Sequence, residues 1–252
     1  MYEVLKRFKP TKGFAVLVHN SLRAILPLII FVLVRLNENE FTQIAIILVL
    51  LSKWRMFAVR PRFWAANLRA NAVDLMVGVS VILFMTHSSS FIEQFGWALA
   101  YGVWLIYLKP ATSSMMMSIQ AGIGQLCALS SLYVAWGDGP LVGLTLVTGI
   151  ICYLAARHFY DAFDESYSRL LSYLWGYFGA ALAWLLSHWL LFYGPVSQPV
   201  VFLTTLGYGV GVLYYWDHNK KPTKNLQRQI IAIMLIIVLI VIIFSDWSGK
   251  LV

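Results

Sequence analysis

Charge is scarce in this chain. Only 12% of its 252 residues are Asp, Glu, Lys or Arg, against roughly 25% in a soluble domain, which excludes a water-facing globular surface of ordinary extent. Cysteine is scarcer still. Cys127 and Cys152 both lie inside apolar runs, with no CxxC spacing and no neighbouring histidine, so neither a disulfide framework nor a zinc site is indicated. Long polar stretches are missing too: the longest connector between apolar runs is about 13 residues, Asp217 to Gln229, a length that suits a helix-to-helix connection and leaves no room for a soluble domain. Acidic residues number 11 against 19 basic ones, a net charge of +8.

What fills the chain is apolar: 60% hydrophobic residues, 15% aromatic, and a mean hydropathy of +0.74. These residues fall in blocks of about 15 to 25, long enough for helices that cross a hydrocarbon core about 30 Å thick, whereas a transmembrane β-barrel would alternate over about 10 residues. The expected fold class is all-α, a polytopic integral membrane helical bundle of about nine spans forming one domain over residues 1–252. The spans fall near 17–36, 41–59, 71–87, 91–108, 112–136, 140–160, 170–193, 199–216 and 229–245. In the first two, only Ala24 to Val34 and Ile44 to Leu51 are cleanly apolar, and a short re-entrant hairpin is the alternative. The uninterrupted run Ile230 to Phe244 suits a lipid-facing helix at the bundle edge.

Basic residues sort by side. With the N-terminus inside, Lys6, Arg7, Lys9, Lys12 and Arg23 fall in the cytoplasm, followed by Lys53, Arg55, Arg60, Arg62 and Arg69, then Lys109, Arg157, Arg169, Lys220, Lys221, Lys224 and Arg228. This is 17 of the 19, leaving Arg35 and Lys250 outside beside Glu38, Glu40, Asp138 and Asp246. The positive-inside rule therefore gives N-in and C-out, in the plasma (inner) membrane, with 1–16 as a basic amphipathic cytoplasmic segment. That N-terminal segment lacks a small-residue cleavage pattern and is read as retained. The expected partners are the lipid bilayer and anionic headgroups on the cytoplasmic face; nucleic acid is not implied, and cofactors and the oligomeric state are left open.

Lys53 to Pro61 reads KxxxxxxRP and resembles the first motif of the lipid-phosphatase family, whose Lys and Arg hold a substrate phosphate. The resemblance covers this motif alone. At the position of that family's nucleophilic histidine stands Trp175, so a phospho-enzyme step is not implied. The same stretch interleaves Lys53, Arg55, Arg60 and Arg62 with Trp54, Phe57, Phe63 and Trp64, a mixture suited to the headgroup layer, where each cation near an anionic surface contributes about 1 kcal/mol. These four cations are the candidate headgroup or phosphate contacts.

Asp74 is the clearest acid inside an expected span. A lone charge at a helix centre costs about 2.5 to 3.5 kcal/mol, so Asp74 is expected to pair with a cation of the same leaflet, Lys53, Arg55 or Arg60, and to stay ionised. In the fifth expected helix Ser114, Ser118, Ala121 and Gln125 form one polar, small-residue face, with Gln120 close by. Asp74, Gln120, Gln125 and Ser118 are the candidate substrate or coupling-ion residues. His158, Asp161 and Glu165 share a face if the sixth helix continues and are expected to form a water-exposed cytoplasmic cluster without a metal. Catalytic residues are not assigned. Three functions stand: a small-solute transporter or permease first, then a non-catalytic assembly or scaffold protein, then a membrane enzyme acting on a lipid or phosphate-bearing substrate.

Overall fold

The computed structural model describes residues 12–36, 39–54, 57–189, 192–193, 196–220 and 223–245, with side chains described for 24–36, 41–54, 57–188, 196–219 and 223–245. Its helices are α1 (Lys12–Arg35), α2 (Asn39–Leu51), α3 (Trp64–Ala70), α4 (Ala72–His87), α5 (Phe91–Val103), α6 (Ser114–Trp136), α7 (Leu141–Asp161), α8 (Ser168–Leu186), α9 (Gln198–Lys220) and α10 (Lys224–Phe244). A two-residue antiparallel ladder, β1 (Phe192–Tyr193) with β2 (Val196–Ser197), lies between α8 and α9. The chain is a helical bundle.

Among the described residues five segments are long and apolar enough to cross a membrane: Phe91–Leu108, Ser114–Trp136, Leu141–Asp161, Gln198–Asn219 and Lys224–Phe244. A sixth is gained if Pro61–Ala70 and Ala72–His87, bent by 63°, count together. Helix α2, 13 residues in all, rises only about 20 Å at 1.5 Å per residue, well short of the hydrocarbon thickness.

The second expected span, 41–59, is shorter in the structure. Helix α2 ends at Leu51, where the Ser52 hydroxyl donates to the Val49 carbonyl at 2.6 Å. Pro61 then holds Arg60 extended (φ −56°, ψ 139°), as residues before proline are. A 3-10 turn, Pro61–Phe63, leads into α3, and the Trp64 indole ties the loop by donating to the Val59 carbonyl at 3.0 Å. The expected span 170–193 also ends early, at Leu186, followed by a 3-10 turn and the β1–β2 ladder.

Helix α4 is apolar all round and sits at the centre of the bundle, as such helices do. Val73, Val77, Val81, Ile82 and Met85 pack with Ile30 and Val34 of α1, Ala45 and Val49 of α2, and Ala98 and Tyr101 of α5. A second core joins Ala128, Leu129 and Tyr133 of α6 to Leu144, Ile151 and Cys152 of α7 and to Val200 and Leu203 of α9. Met76 touches both cores. Where α4 meets α6, a Cβ on Gly124 would lie 2.7 Å from Val73 Cγ1, so only glycine admits this approach. Helices α7 and α8 are similarly close: a Cβ on Gly176 would lie 3.0 Å from the Gly149 carbonyl oxygen, the close backbone approach that small residues permit between membrane helices. Helix α10 buries only Val241 and presents Ile233, Ile236, Leu239, Ile240 and Ile243 outward, as expected of a lipid-facing helix.

Candidate functional site

Asp74 lies in the first turn of α4, buried at 6% exposure. Its carboxylate is held on both oxygens. The Trp104 indole donates to Oδ1 at 2.9 Å, and the ammonium groups of Lys53 and Lys109 both pair with Oδ2, Lys109 at 2.5 Å. Lys53 arrives from just beyond α2. Lys109 arrives through a π-helical turn, Trp104–Leu108, closed by the Lys109 N–H donating to the Trp104 carbonyl at 2.8 Å. A bond spanning five residues turns Trp104 and Lys109 toward one side, so both reach the same carboxylate. Of the expected partners, Lys53 is present. Arg60 is exposed and forms no pair with Asp74, and Arg55 lies outside the described residues. Lys109 and Trp104 were not anticipated, because α-helical counting does not place residues five apart on one face. Arg62 is exposed with its guanidinium 4.6 Å from the Phe63 ring centroid.

Gln120 is bonded on both ends of its amide. Its amide nitrogen donates to the carbonyls of Leu108 (2.6 Å) and Ala111 (2.9 Å), and its oxygen meets His158 Nε2 at 3.0 Å. These bonds fasten the 108–113 connector to α6 and α7. Gln125 is likewise committed, donating to the Leu203 carbonyl at 3.0 Å and accepting from the Trp175 indole at 2.9 Å. The amides therefore satisfy buried polar groups of the bundle.

The expectation of a shared exposed face for His158, Asp161 and Glu165 is corrected. His158 turns inward to Gln120 and is half-buried. Asp161 pairs with Arg157 at 3.0 Å, one helical turn earlier. Glu165 is not on α7 at all: the helix ends at Asp161, and the connector turns through Asp164 at φ 51°, a left-handed conformation that Asp tolerates better than most residues. Glu165 accepts from the Tyr214 hydroxyl at 2.5 Å and from the Tyr167 N–H. The Tyr214 donation, followed by that of the backbone, holds its carboxyl below the usual glutamate range. Among the described residues no three His, Cys, Asp or Glu side chains gather around one point.

Ser118 and Gln125 do meet in a cavity. A groove of about 560 Å³ runs between α6, α7, α8 and α9. Its walls are Ser118, Ile119, Gly122, Gln125 and Leu126 of α6, Ala156, Phe159 and Tyr160 of α7, Trp175 of α8, and Thr204, Gly207, Tyr208, Gly211 and Tyr215 of α9. The lining is overwhelmingly apolar. The groove exists because glycines leave it unfilled: a Cβ on Gly122 would meet nothing within 4 Å, and one on Gly211 would only touch Phe159 at 3.6 Å. From the level of Leu126, midway along α6, and Thr204, about a quarter of the way along α9, it reaches the helix ends at Met115, Tyr160 and Trp216. The sequence presents these glycines as packing residues; the empty volume depends on how four helices meet.

Asp74 and Gln120 thus belong to a charged and amide clamp at one end of the bundle, and Ser118 and Gln125 to the groove wall. Comparison with family models, with curated proteins and with solved structures finds no match.

Proposed function

We propose that this chain is a multi-pass membrane protein that takes a single-chain lipid amphiphile into the α6–α9 groove and moves it between the leaflets. The proposed arrangement is the nine-segment, N-in/C-out topology of the plasma membrane, with the groove opening toward the cytoplasmic leaflet. The observation that carries the reading is the groove itself. Its volume falls in the range of ligand sites, roughly 300 to 1,000 Å³, its walls are apolar, and it lies within three of the segments long enough to cross a membrane. Such a wall offers a polar solute little compensation for lost hydration and suits an apolar chain. The tyrosines and tryptophan at the open end, Tyr160, Tyr215 and Trp216, match the amphipathic layer in which a lipid headgroup sits. Transport of a small polar solute loses support because Asp74, Gln120 and Gln125 already have partners within the protein.

The test uses the full chain in liposomes with a fluorescent lysophospholipid and a membrane-impermeant quencher. The protein should speed transfer of the probe between leaflets, and Gly122→Leu, whose side chain enters open space, should abolish the acceleration while the protein remains folded. Equal rates with and without protein would refute transport, and an unchanged rate in folded Gly122→Leu would refute the groove as the route. The non-catalytic assembly reading has one observation in its favour, the internal satisfaction of the clamp, and absence of any saturable lysophospholipid binding would select it.

A further inference from the structure

The clamp around Asp74 is not neutral. Two ammonium groups converge on one carboxylate, and among the described residues neither lysine forms an ion pair with a second acid. Lys53 is nine-tenths buried, Asp74 equally so, and Lys109 keeps about a quarter of its side chain exposed. The cluster therefore holds one surplus positive charge in surroundings where uncompensated charge is costly. Each ammonium has three N–H donors, of which Asp74 engages one, while the Trp104 indole occupies the other carboxylate oxygen. Donor capacity and charge are both left over at the same place.

The location names the kind of anion that fits. The segment Pro61–Ala70, the 3-10 turn together with α3, leaves the axis of α4 at 63° and shows Phe63, Trp64 and Leu68 at its surface beside exposed Arg62. Aromatic and basic residues mixed on a short helix turned away from the bundle are the marks of the interfacial layer. The lysine pair lies next to the α3–α4 bend, with Leu50, Leu51 and Tyr107 exposed on the flanking helices. Phosphodiester groups populate that layer in every phospholipid bilayer.

We infer that Lys53 and Lys109 together bind a phosphate group, bridging two of its oxygens, and that an anionic phospholipid supplies it. Asp74 positions the two ammonium groups, and the bound phosphate balances the cluster. The site is separate from the α6–α9 groove and does not depend on its function.

The experiment compares thermal unfolding midpoints of the full chain in nanodiscs of zwitterionic lipid, the same discs with increasing phosphatidylglycerol, and zwitterionic discs with added inorganic phosphate. Phosphatidylglycerol should raise the midpoint saturably and be preferred over the zwitterionic lipid by about 5-fold, the ratio expected for one surplus positive charge at about 1 kcal/mol. Lys109→Gln removes the surplus and leaves Lys53 paired with Asp74. That variant should fold normally in zwitterionic discs and lose the phosphatidylglycerol response, whereas Arg62→Gln, with the same change in net charge, should keep it. An equal rise with inorganic phosphate alone would overturn the lipid as the source while keeping the phosphate site. A Lys109→Gln protein that still responds like the wild type would overturn the site, as would a wild type that responds to neither phosphatidylglycerol nor phosphate.

Discussion

Asp74→Asn is the most informative single substitution in the bundle core. Asparagine preserves the shape of the side chain and can still accept from the Trp104 indole, so packing changes little. The charge is lost, and Lys53 and Lys109 then face each other across a neutral amide. Removing one partner of a buried ion pair costs about 3 to 5 kcal/mol, because the abandoned charge remains buried. Lys53, at 9% exposure, bears most of this cost, while Lys109, at 26%, can extend toward water and relieve part of its share. A loss of about 3 kcal/mol is therefore expected, which for a chain of this length lowers the unfolding midpoint by about 6 to 12 °C. The assay is thermal unfolding in a mild detergent, read by intrinsic tryptophan fluorescence and by loss of the monodisperse peak. Lys109→Gln is the matched comparison: it leaves one carboxylate and one ammonium, and its midpoint should stay within about 2 °C of the wild type, a difference of order 0.5 kcal/mol. If Asp74→Asn is as stable as the wild type, or if Lys109→Gln loses as much as Asp74→Asn, the charge-unbalanced clamp is wrong.

The buried Tyr101 hydroxyl makes no hydrogen bond among the described residues, and a Cβ on Gly78 would lie 2.8 Å from it; Tyr101→Phe should raise stability by about 1 kcal/mol, since an unsatisfied buried group costs about that much or more, and the detergent melt reads it. Gly176→Val should separate α7 from α8, because a Cβ there already lies 2.9 Å from Tyr153 Cβ and 3.0 Å from the Gly149 carbonyl oxygen, with a loss of at least about 2 kcal/mol in the same melt. In the α7–α8 connector, Glu165 has a folded pKa depressed below the ordinary glutamate value, first by the Tyr214 hydroxyl. Its contact therefore stabilises the connector fully above the unfolded pKa and is lost as pH falls through the folded one. A carboxyl-labelled NMR titration should show Glu165 moving back toward the ordinary value in Tyr214→Phe, and an unchanged titration would show that the hydroxyl is not the cause.

Hydropathy made the helices legible because lipid imposes one demand on every span: a long apolar run whose backbone satisfies itself. That demand says little about where a helix stops near the headgroup layer. Helix α2 ended at Leu51, eight residues before the expected boundary, and the basic, aromatic residues from Pro61 onward became a 3-10 turn and the bent helix α3. Asp74 could be singled out because an acid within an apolar helix must find a cation. Lys53 followed from its leaflet, but Lys109 did not, since its direction depends on the π-helical turn at Trp104–Leu108. His158, Asp161 and Glu165 were grouped by α-helical spacing, and the grouping failed because the helix ends at Asp161. The groove was hidden for another reason. Gly122 and Gly211 look the same in sequence as the glycines that bring α7 and α8 into contact, and only the assembled helices distinguish a glycine that permits contact from one that leaves space.

The central claim is that a lipid chain lies inside the α6–α9 groove. It is tested most directly by photo-crosslinking the full chain in liposomes with a lysophospholipid whose acyl chain carries a diazirine, followed by peptide mapping. The groove account predicts adducts concentrated on Ile119, Gly122 and Leu126 of α6 and on Thr204 and Gly211 of α9, suppressed by excess unlabelled lysophospholipid and absent from Gly122→Leu. Adducts spread over the outward residues of α10, such as Ile236 and Ile243, without saturable labelling of α6 and α9, would contradict it.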